Sequence, residues 1–214
     1  MTEFERTEQN RVRRVPDRGA YDKMTIYPIV DEALICHVGL VEAGQPVVIP
    51  TLHARRGDDI LLHGATTSRL MQYAASGAPL CITVTHVDGL VLARSVFHHS
   101  ANYRSAVLFG QGTLIEAEEE KMAALAMFTE KLIPGRWQDA RRPNAVELKA
   151  TSVVAVAIES ASAKVRTGPP KDDAEDYALD VWAGVVPMHV QRLAPEADPL
   201  LDAAVALPNY LVHQ

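Results

Sequence analysis

PVVIPTLHARRGDDILLHGATTSRLMQYAASGAPLCITVTHVDGLVLARSVFHHSANYRS, residues 46–105, is the stretch on which the reading of the fold turns. Four apolar, strand-like runs surround one short helical segment, which opens on Thr66-Thr67-Ser68-Arg69. Arg55-Arg56-Gly57-Asp58 reads as a turn and residues 59–64 as a strand. The helix over residues 66–76 is closed by Gly77 and Pro79, the usual stop residues. Residues 79–87 alternate: Cys81, Thr83, Thr85 and Val87 share one face, and Leu80, Ile82, Val84 and His86 the other. Asp88-Gly89 is the strongest hairpin signal in the chain. It predicts a turn there, with a further strand over residues 90–97.

Outward from this stretch the same logic continues. Residues 21–33 show Ile26, Ile29, Val30 and Ala33 at helical spacing, with Asp22 as a start signal. Pro28 within the pattern predicts a late start or a bend. Residues 33–40 fit a buried strand, and residues 42–45 a hairpin turn into a strand over 46–53. With 59–64 these predict a three-stranded meander. Residues 103–115 read as a long strand weakened by Gly110 and Gly112. Residues 116–133 form an amphipathic helix whose apolar face is Met122, Leu125, Ala126, Thr129, Leu132 and Ile133. Glutamates crowd its start, where the helix dipole favours them. Residues 136–143 read as a loop, 151–165 as one long strand, 168–176 as a loop and 181–188 as an edge strand. The expected organisation is an extended or mobile arm over 1–20, one barrel domain over 21–190 and an irregular tail over 191–214. Six to eight strands and two or three helices point to an antiparallel barrel with flanking helices, mainly β, rather than a doubly wound sheet.

The 214 residues suit one domain, and 48% hydrophobic with 22% charged residues is ordinary globular composition. A net charge of -6 gives no electrostatic reason to expect nucleic acid. Arg11, Arg13, Arg14 and Arg18 read as a solvated arm. Cys36 and Cys81 each sit in an apolar run, at a spacing that matches no redox or metal motif, and read as inert thiols. No apolar run reaches the ~20 residues of a membrane span. The opening MTEFERTEQN lacks the pattern of a secretory signal, so a cytoplasmic protein is expected.

The chemistry concentrates at the helix opening. A helix start exposes unpaired N–H groups and about half a positive charge, which together hold a phosphate. Thr66, Thr67 and Ser68 add hydroxyls, and Arg69 a guanidinium. Ser or Thr before a helix is also a plain N-cap, so residue chemistry alone leaves both readings open. His63 lies directly before this start. His98 and His99 are adjacent, and no histidine spacing predicts a metal cage. Nucleophile elbow and phosphate-loop motifs are absent. Gly110-Gln111-Gly112 lacks the third glycine of a dinucleotide fingerprint, because Ile115 stands there.

Several short motifs, in order, resemble a known family. They are Asp31-Glu32, Cys36-His37-Val38-Gly39, Pro46-Val47-Val48-Ile49-Pro50-Thr51, His63-Gly64-Ala65 and Ser68-Arg69. They continue with Thr83-Val84-Thr85, Asp88-Gly89-Leu90-Val91-Leu92-Ala93-Arg94-Ser95, Phe97-His98-His99-Ser100 and Asn102-Tyr103-Arg104-Ser105. Ser162-Ala163-Lys164, Gly168-Pro169-Pro170 and Val181-Trp182-Ala183-Gly184-Val185 complete the set. Over roughly residues 10–190 the chain resembles the pyridoxamine 5'-phosphate oxidase-like flavin-binding proteins, near the branch of the nitroimidazole-resistance reductases. The resemblance implies an FMN-binding split β-barrel and a homodimer with FMN at the subunit interface. It sets Val48, Ile49, Pro50 and Thr51 along the flavin ring, and His63, Gly64, Thr67, Ser68 and Arg69 at the phosphate. His99, Ser100, Tyr103 and Arg104 would close the site from the other subunit, and Trp182 would cover the ring. FAD, a deazaflavin and haem are the alternative cofactors, with His63, His98 or His99 as axial ligands for haem. The implied activity is an oxidoreductase using NAD(P)H or another small-molecule donor; the alternative is a non-catalytic flavin or haem binder or sensor. Leu70 follows Arg69 where the true oxidase has a second basic residue, and that enzyme's C-terminal Trp…Arg-Leu motif is not matched. Both departures argue against pyridoxamine phosphate as substrate.

Overall fold

Asp22 starts the first helix: its side chain accepts from Thr25 N at 2.8 Å. A two-residue strand, β1 (Gly19–Ala20), precedes it, and α1 (Lys23–Glu32) runs through Pro28 unbroken. The computed structural model describes residues 2–212. β2 (Ile35–Glu42) and β3 (Gln45–Leu52) follow, joined by Ala43 and Gly44 at φ 48° and 75°. Positive φ at both central residues matches strand twist in a two-residue hairpin. β4 (Ala54–Arg56) and β5 (Asp59–Ala65) form the next hairpin. After α2 (Arg69–Ala75) come the two long strands β6 (Pro79–Leu92) and β7 (Ser100–Leu114). Three helices follow, α3 (Glu118–Leu132), α4 (Arg136–Asp139) and α5 (Ala145–Ala150), then β8 (Thr151–Ala157), β9 (Ser160–Arg166) and β10 (Gly184–Pro187).

All strand pairs are antiparallel, and the main path runs β3-β2-β6-β7-β8-β5-β4. This is a split β-barrel with flanking helices. The split lies on one edge of β7. Residues Tyr103 to Phe109 of that edge pair with β9, and Gly112 to Leu114 pair with β8. Gly110 and Gln111 lie between, and at Gly110 an added Cβ would lie 1.8 Å from the Ala157 carbonyl oxygen. At Gly112 the Cβ would lie 2.3 Å from the Ala74 carbonyl oxygen of α2. These glycines do not weaken the strand, as their sequence position suggests; they admit backbone where no side chain fits.

The main core lies between α1, α2 and the curled sheet, with Ile26, Val30, Cys36, Val38, Leu62, Met71, Ile82 and Leu108 inside it. A second cluster sits under α3 and joins Leu61, Ile115, Ala124, Phe128 and Val153. β5 is therefore buried on both faces, Ile60 and Leu62 toward the barrel and Leu61 toward α3. Phe4 packs into the main core, and buried Asn10 donates to the Glu5 and Ala161 carbonyls at 2.8 and 3.2 Å, so the N-terminal segment lies against the barrel. No helix among the described residues is long and apolar enough to cross a membrane.

Several expectations are corrected. The meander does not form: β3 and β4 lie at opposite ends of the strand path. The chain does not turn at Asp88-Gly89; β6 runs through it with a bulge. There Asp88 is held by the Arg104 guanidinium at 2.9 and 3.0 Å, and Gly89 makes room for β10, since an added Cβ would sit 3.0 Å from the Val186 carbonyl oxygen. Residues 151–165 are two strands, not one. The break falls at Ile158 and Glu159, whose N–H groups donate to Asp58 and Phe109 carbonyls. The helix expected from residue 66 begins at Arg69. Ala124 and Phe128, not the expected set, are the fully buried residues of α3. Residues 136–143 contain α4, and α5 was missed although Asn144 and Glu147 form its capping box.

Gly110→Ala should destabilise the fold by at least about 3 kcal/mol, beyond ordinary overpacking, because backbone rather than a yielding side chain stands in the way. Urea unfolding of the variant measures this. A loss under 1 kcal/mol would mean that β8 does not approach β7 this closely.

Candidate functional site

The expected phosphate end is built by the exit from β5. Thr66 N donates to the Ala150 carbonyl at 3.0 Å, and Ser68 N to the Ala65 carbonyl at 2.9 Å. This turn delivers Ser68 to the N-cap of α2 with its hydroxyl making no capping bond. Thr67 is exposed, and Arg69 stands at the first helical position. Arg69 Nη1 lies 3.4 Å from Glu42 Oε2, both side chains about half exposed (53% and 48%). Such a pair is weak, so the guanidinium remains available to a stronger anion. Gly64 packs on Met71, where an added Cβ would meet Cγ at 3.1 Å.

The expected ring end lies alongside. β3 pairs only with β2, which leaves its outer edge open. Val48 and Pro50 are exposed, and Ile49 and Thr51 half-buried. In the β4–β5 hairpin Ala54 lies opposite Leu61; extended by two residues, that register sets the end of β3 beside His63, and β3 and β5 are in contact. His63 is half-buried, its ring 4.2 Å from that of Phe128. Its Nδ1 is buried without a hydrogen-bond partner, and burial holds the imidazole below its ordinary value.

The other expected site residues are elsewhere. Ser100 opposes Val91 and Tyr103 opposes Val87, at the far end of the β6–β7 ladder. His99 Nδ1 lies 3.1 Å from the Ser95 carbonyl. Trp182 is 66% exposed and leans on Gly184, the first residue of β10. Arg104 bridges Glu32 and Asp88, holding both carboxyls below the ordinary carboxylate range. α2 adjoins the Pro79 end of β6: Tyr73 Oη lies 3.4 Å from the Pro79 carbonyl, and Arg69 at the helix start faces Glu42 at the end of β2. From there to Val91 is roughly 40 Å along the strand, at about 3.3 Å per residue. The fold thus sets 48–51 near 63–69 and places His99, Ser100 and Trp182 at the opposite end of the same protomer, with Tyr103 and Arg104 partway along the ladder.

Two features have no counterpart in the sequence expectations. His53 is buried against α3, its Nε2 2.9 Å from the Val30 carbonyl and 3.1 Å from Lys131 Nζ. The ring nitrogen can donate to the carbonyl or accept from the ammonium, one at a time. His53 and Lys131 are 78 residues apart, so no local pattern pairs them. The second feature is an apolar cavity of about 690 Å³ between the end of α3 and the tail, walled by Leu34, Leu132, Ile133, Arg192, Leu193 and Leu207. Its size suits a small molecule, and no expected site residue lines it.

Residues 22–165 match the family described as pyridoxamine 5'-phosphate oxidase. The chain belongs to this family. Among solved structures it is similar to the flavocytochrome Anf3 from Azotobacter vinelandii, with 40% identity over 96% of this chain and 95% of that one and a TM-score of 0.90. It is also similar to the FAD and heme binding protein from Mycobacterium smegmatis, with 38% identity over 90% and 95% of the two chains and a TM-score of 0.86. A protein from Bacteroides thetaiotaomicron with a proposed role in 5-nitroimidazole resistance shares 25% identity over 67% of this chain and 84% of its own, with a TM-score of 0.56. Comparison with curated proteins gives no match.

Burial, and then the nearby Lys131 charge, depress the His53 imidazole to about 4. In the unfolded chain it titrates near its ordinary value of about 6.5. Between these values the unfolded chain binds a proton that the folded protein refuses. Stability from this group is therefore complete above about pH 6.5 and is lost as the pH falls toward 4, by up to about 3 kcal/mol. Urea unfolding at pH 7, 5.5 and 4.5 should show this decline, and His53→Gln should flatten it. An unchanged slope in the variant would assign the decline to other groups.

Proposed function

We propose that this protein is a flavin- and haem-binding redox protein, an oxidoreductase or electron carrier acting on a small-molecule partner. The observation that carries the reading is its likeness, over nearly full length, to a flavocytochrome and to a FAD- and haem-binding protein. FMN is the flavin expected from the sequence; the likeness to the FAD and heme binding protein favours FAD.

The residues at the α2 start fit a flavin phosphate. Thr67, Ser68 and Arg69 supply hydroxyls, a helix-start N–H and a guanidinium whose present partner is weak. The open edge of β3 offers backbone groups to the ring. A bound flavin would supply hydride and one-electron chemistry; the chain's part is to bind it, orient it and limit water around it.

For haem, the three candidate histidines differ. His98 is engaged by Asp173 and His99 by the Ser95 carbonyl, whereas the buried Nδ1 of His63 has no hydrogen-bond partner among the described residues. An imidazole with a buried, unpartnered nitrogen fits an axial ligand, so His63 is the preferred one. This role and the phosphate role exclude each other for a single ring.

A homodimer is the assembly this reading calls for: His99, Ser100 and Trp182 lie at the far end of the β6–β7 ladder from α2, and a second chain would bring them to the α2 site. Exposed Ile35, Val41, Val48 and Val87 on the sheet supply apolar surface for that contact.

The purified protein should show flavin bands and a Soret band. Arg69→Ala should weaken flavin binding by about 1.5–3 kcal/mol, the worth of a charge-assisted hydrogen bond; unchanged affinity by fluorescence titration would remove Arg69 from the site. His63→Ala should lose the Soret band and keep flavin; the converse would return His63 to the phosphate. If neither NADH nor NADPH reduces the flavin, a binding or sensing role stands in place of NAD(P)H oxidation.

A further inference from the structure

Where β6 turns into β7, one segment is clamped by a second that is distant in sequence. The Asp172 side chain is fully buried and accepts from Arg94 N at 2.9 Å, Ser95 N at 3.2 Å and Arg94 Nη1 at 3.2 Å. The same Arg94 guanidinium lies 4.8 Å from the centroid of the Tyr177 ring. Asp172 and Tyr177 therefore fix both ends of the turn at residues 173–176 that they bracket. Within it, Asp176 N donates to the Asp173 carbonyl at 3.0 Å, which sets the two aspartates on one side.

His98 meets this pair from the β6–β7 turn. Its Nε2 lies 3.2 Å from Asp173 Oδ2, and the Phe97 ring stands edge-on at 5.2 Å and orients the imidazole. One donor atom from each of His98, Asp173 and Asp176 lies within 4.8 Å of the others. Neither carboxylate is ion-paired with a Lys or Arg among the described residues. The turn that carries the two carboxylates is thus fixed by Asp172 and Tyr177, and the single imidazole is set beside it by Phe97 and Asp173.

We propose that His98, Asp173 and Asp176 form a binding site for a divalent transition-metal ion, with Zn²⁺ the best fit. One nitrogen and two oxygen ligands suit a borderline cation. Mg²⁺ and Ca²⁺ ask for six or more oxygens, and the chain brings two carboxylates. Three protein ligands leave a fourth tetrahedral position for water or an outside donor. The ion would pin the segment around residues 172–177 to the β6–β7 turn, across 75 residues of sequence, and so hold the approach to His99, Ser100 and Trp182. Spacing along the sequence could not show this group, because its members come from two separate loops.

The test is calorimetric titration of the full chain, stripped with a chelator and loaded with its own cofactors, using ZnCl₂, MnCl₂ and MgCl₂ as separate probes. One Zn²⁺ site per chain is expected, weaker binding of Mn²⁺ and none of Mg²⁺. His98→Ala and Asp176→Asn should each weaken Zn²⁺ binding at least about ten-fold, since even loss of an outer-sphere partner has that effect. Asp180→Asn, on the same loop but outside the group, should leave it unchanged. Circular dichroism and the cofactor spectrum check that each variant is folded. Absence of a saturable Zn²⁺ site, or Zn²⁺ binding that both variants leave intact, would overturn the proposal. Heat of binding is read whether or not the cofactor is a flavin, so failure here and failure of the redox reading are separable.

Discussion

The shared edge of β7 is the constraint that organises the molecule. One strand has two edges, and β6 occupies one of them from Ser100 to Gln111. The other is divided between β9 and β8, which come from a single stretch of chain broken at residues 158–159. At the division the carbonyl of Ala157 enters the space that a side chain on Gly110 would fill. Two residues on, α2 is drawn against the same strand at Gly112. The sheet curls into a barrel because β8 diverges here, and α2 is set at the barrel's end because its last turn rests on this strand. The N-terminus of α2, with Ser68 and Arg69, takes its position from that contact.

The length of β6 and β7 has a second effect. Strands of 14 and 15 residues are well beyond the usual 5 or 6. They separate what the sequence suggests belongs together. One end of the ladder adjoins α2 and the β2–β3 hairpin; the other carries β10 and the β6–β7 turn. Arg104 marks the middle ground. It is spent on Glu32 and Asp88, tying the end of α1 to β6, and its role in this structure is to hold the architecture.

Local chemistry was legible and long-range chemistry was not. Asp22 as a cap, the left-handed pair at residues 43–44, the stop after α2 and the edge strand near residue 185 all follow from residues within a few positions of one another. The capping box at Asn144 and Glu147 is equally local. Asp88-Gly89 misled because a good turn dipeptide is only a preference, and Arg104 on the neighbouring strand together with β10 outweighed it. Gly110 and Gly112 looked like weakness because the backbone that approaches them comes from elsewhere in the chain. The turn into α2 at residues 66–69 was readable, being local; the proximity of His53 to Lys131 was not.

β3 carries a further consequence. In its hairpin with β2, the pairs Val41 with Pro46, Gly39 with Val48, His37 with Pro50 and Ile35 with Leu52 are those that turn their backbone groups away from the partner strand. Of these four residues of β3, two are prolines and have no N–H. The exposed border therefore shows a row of acceptors and only two donors, on Val48 and Leu52. A second strand cannot zip onto it, which guards the protein against edge-to-edge polymerisation. A planar heterocycle with its own N–H groups, by contrast, meets carbonyls placed to receive them.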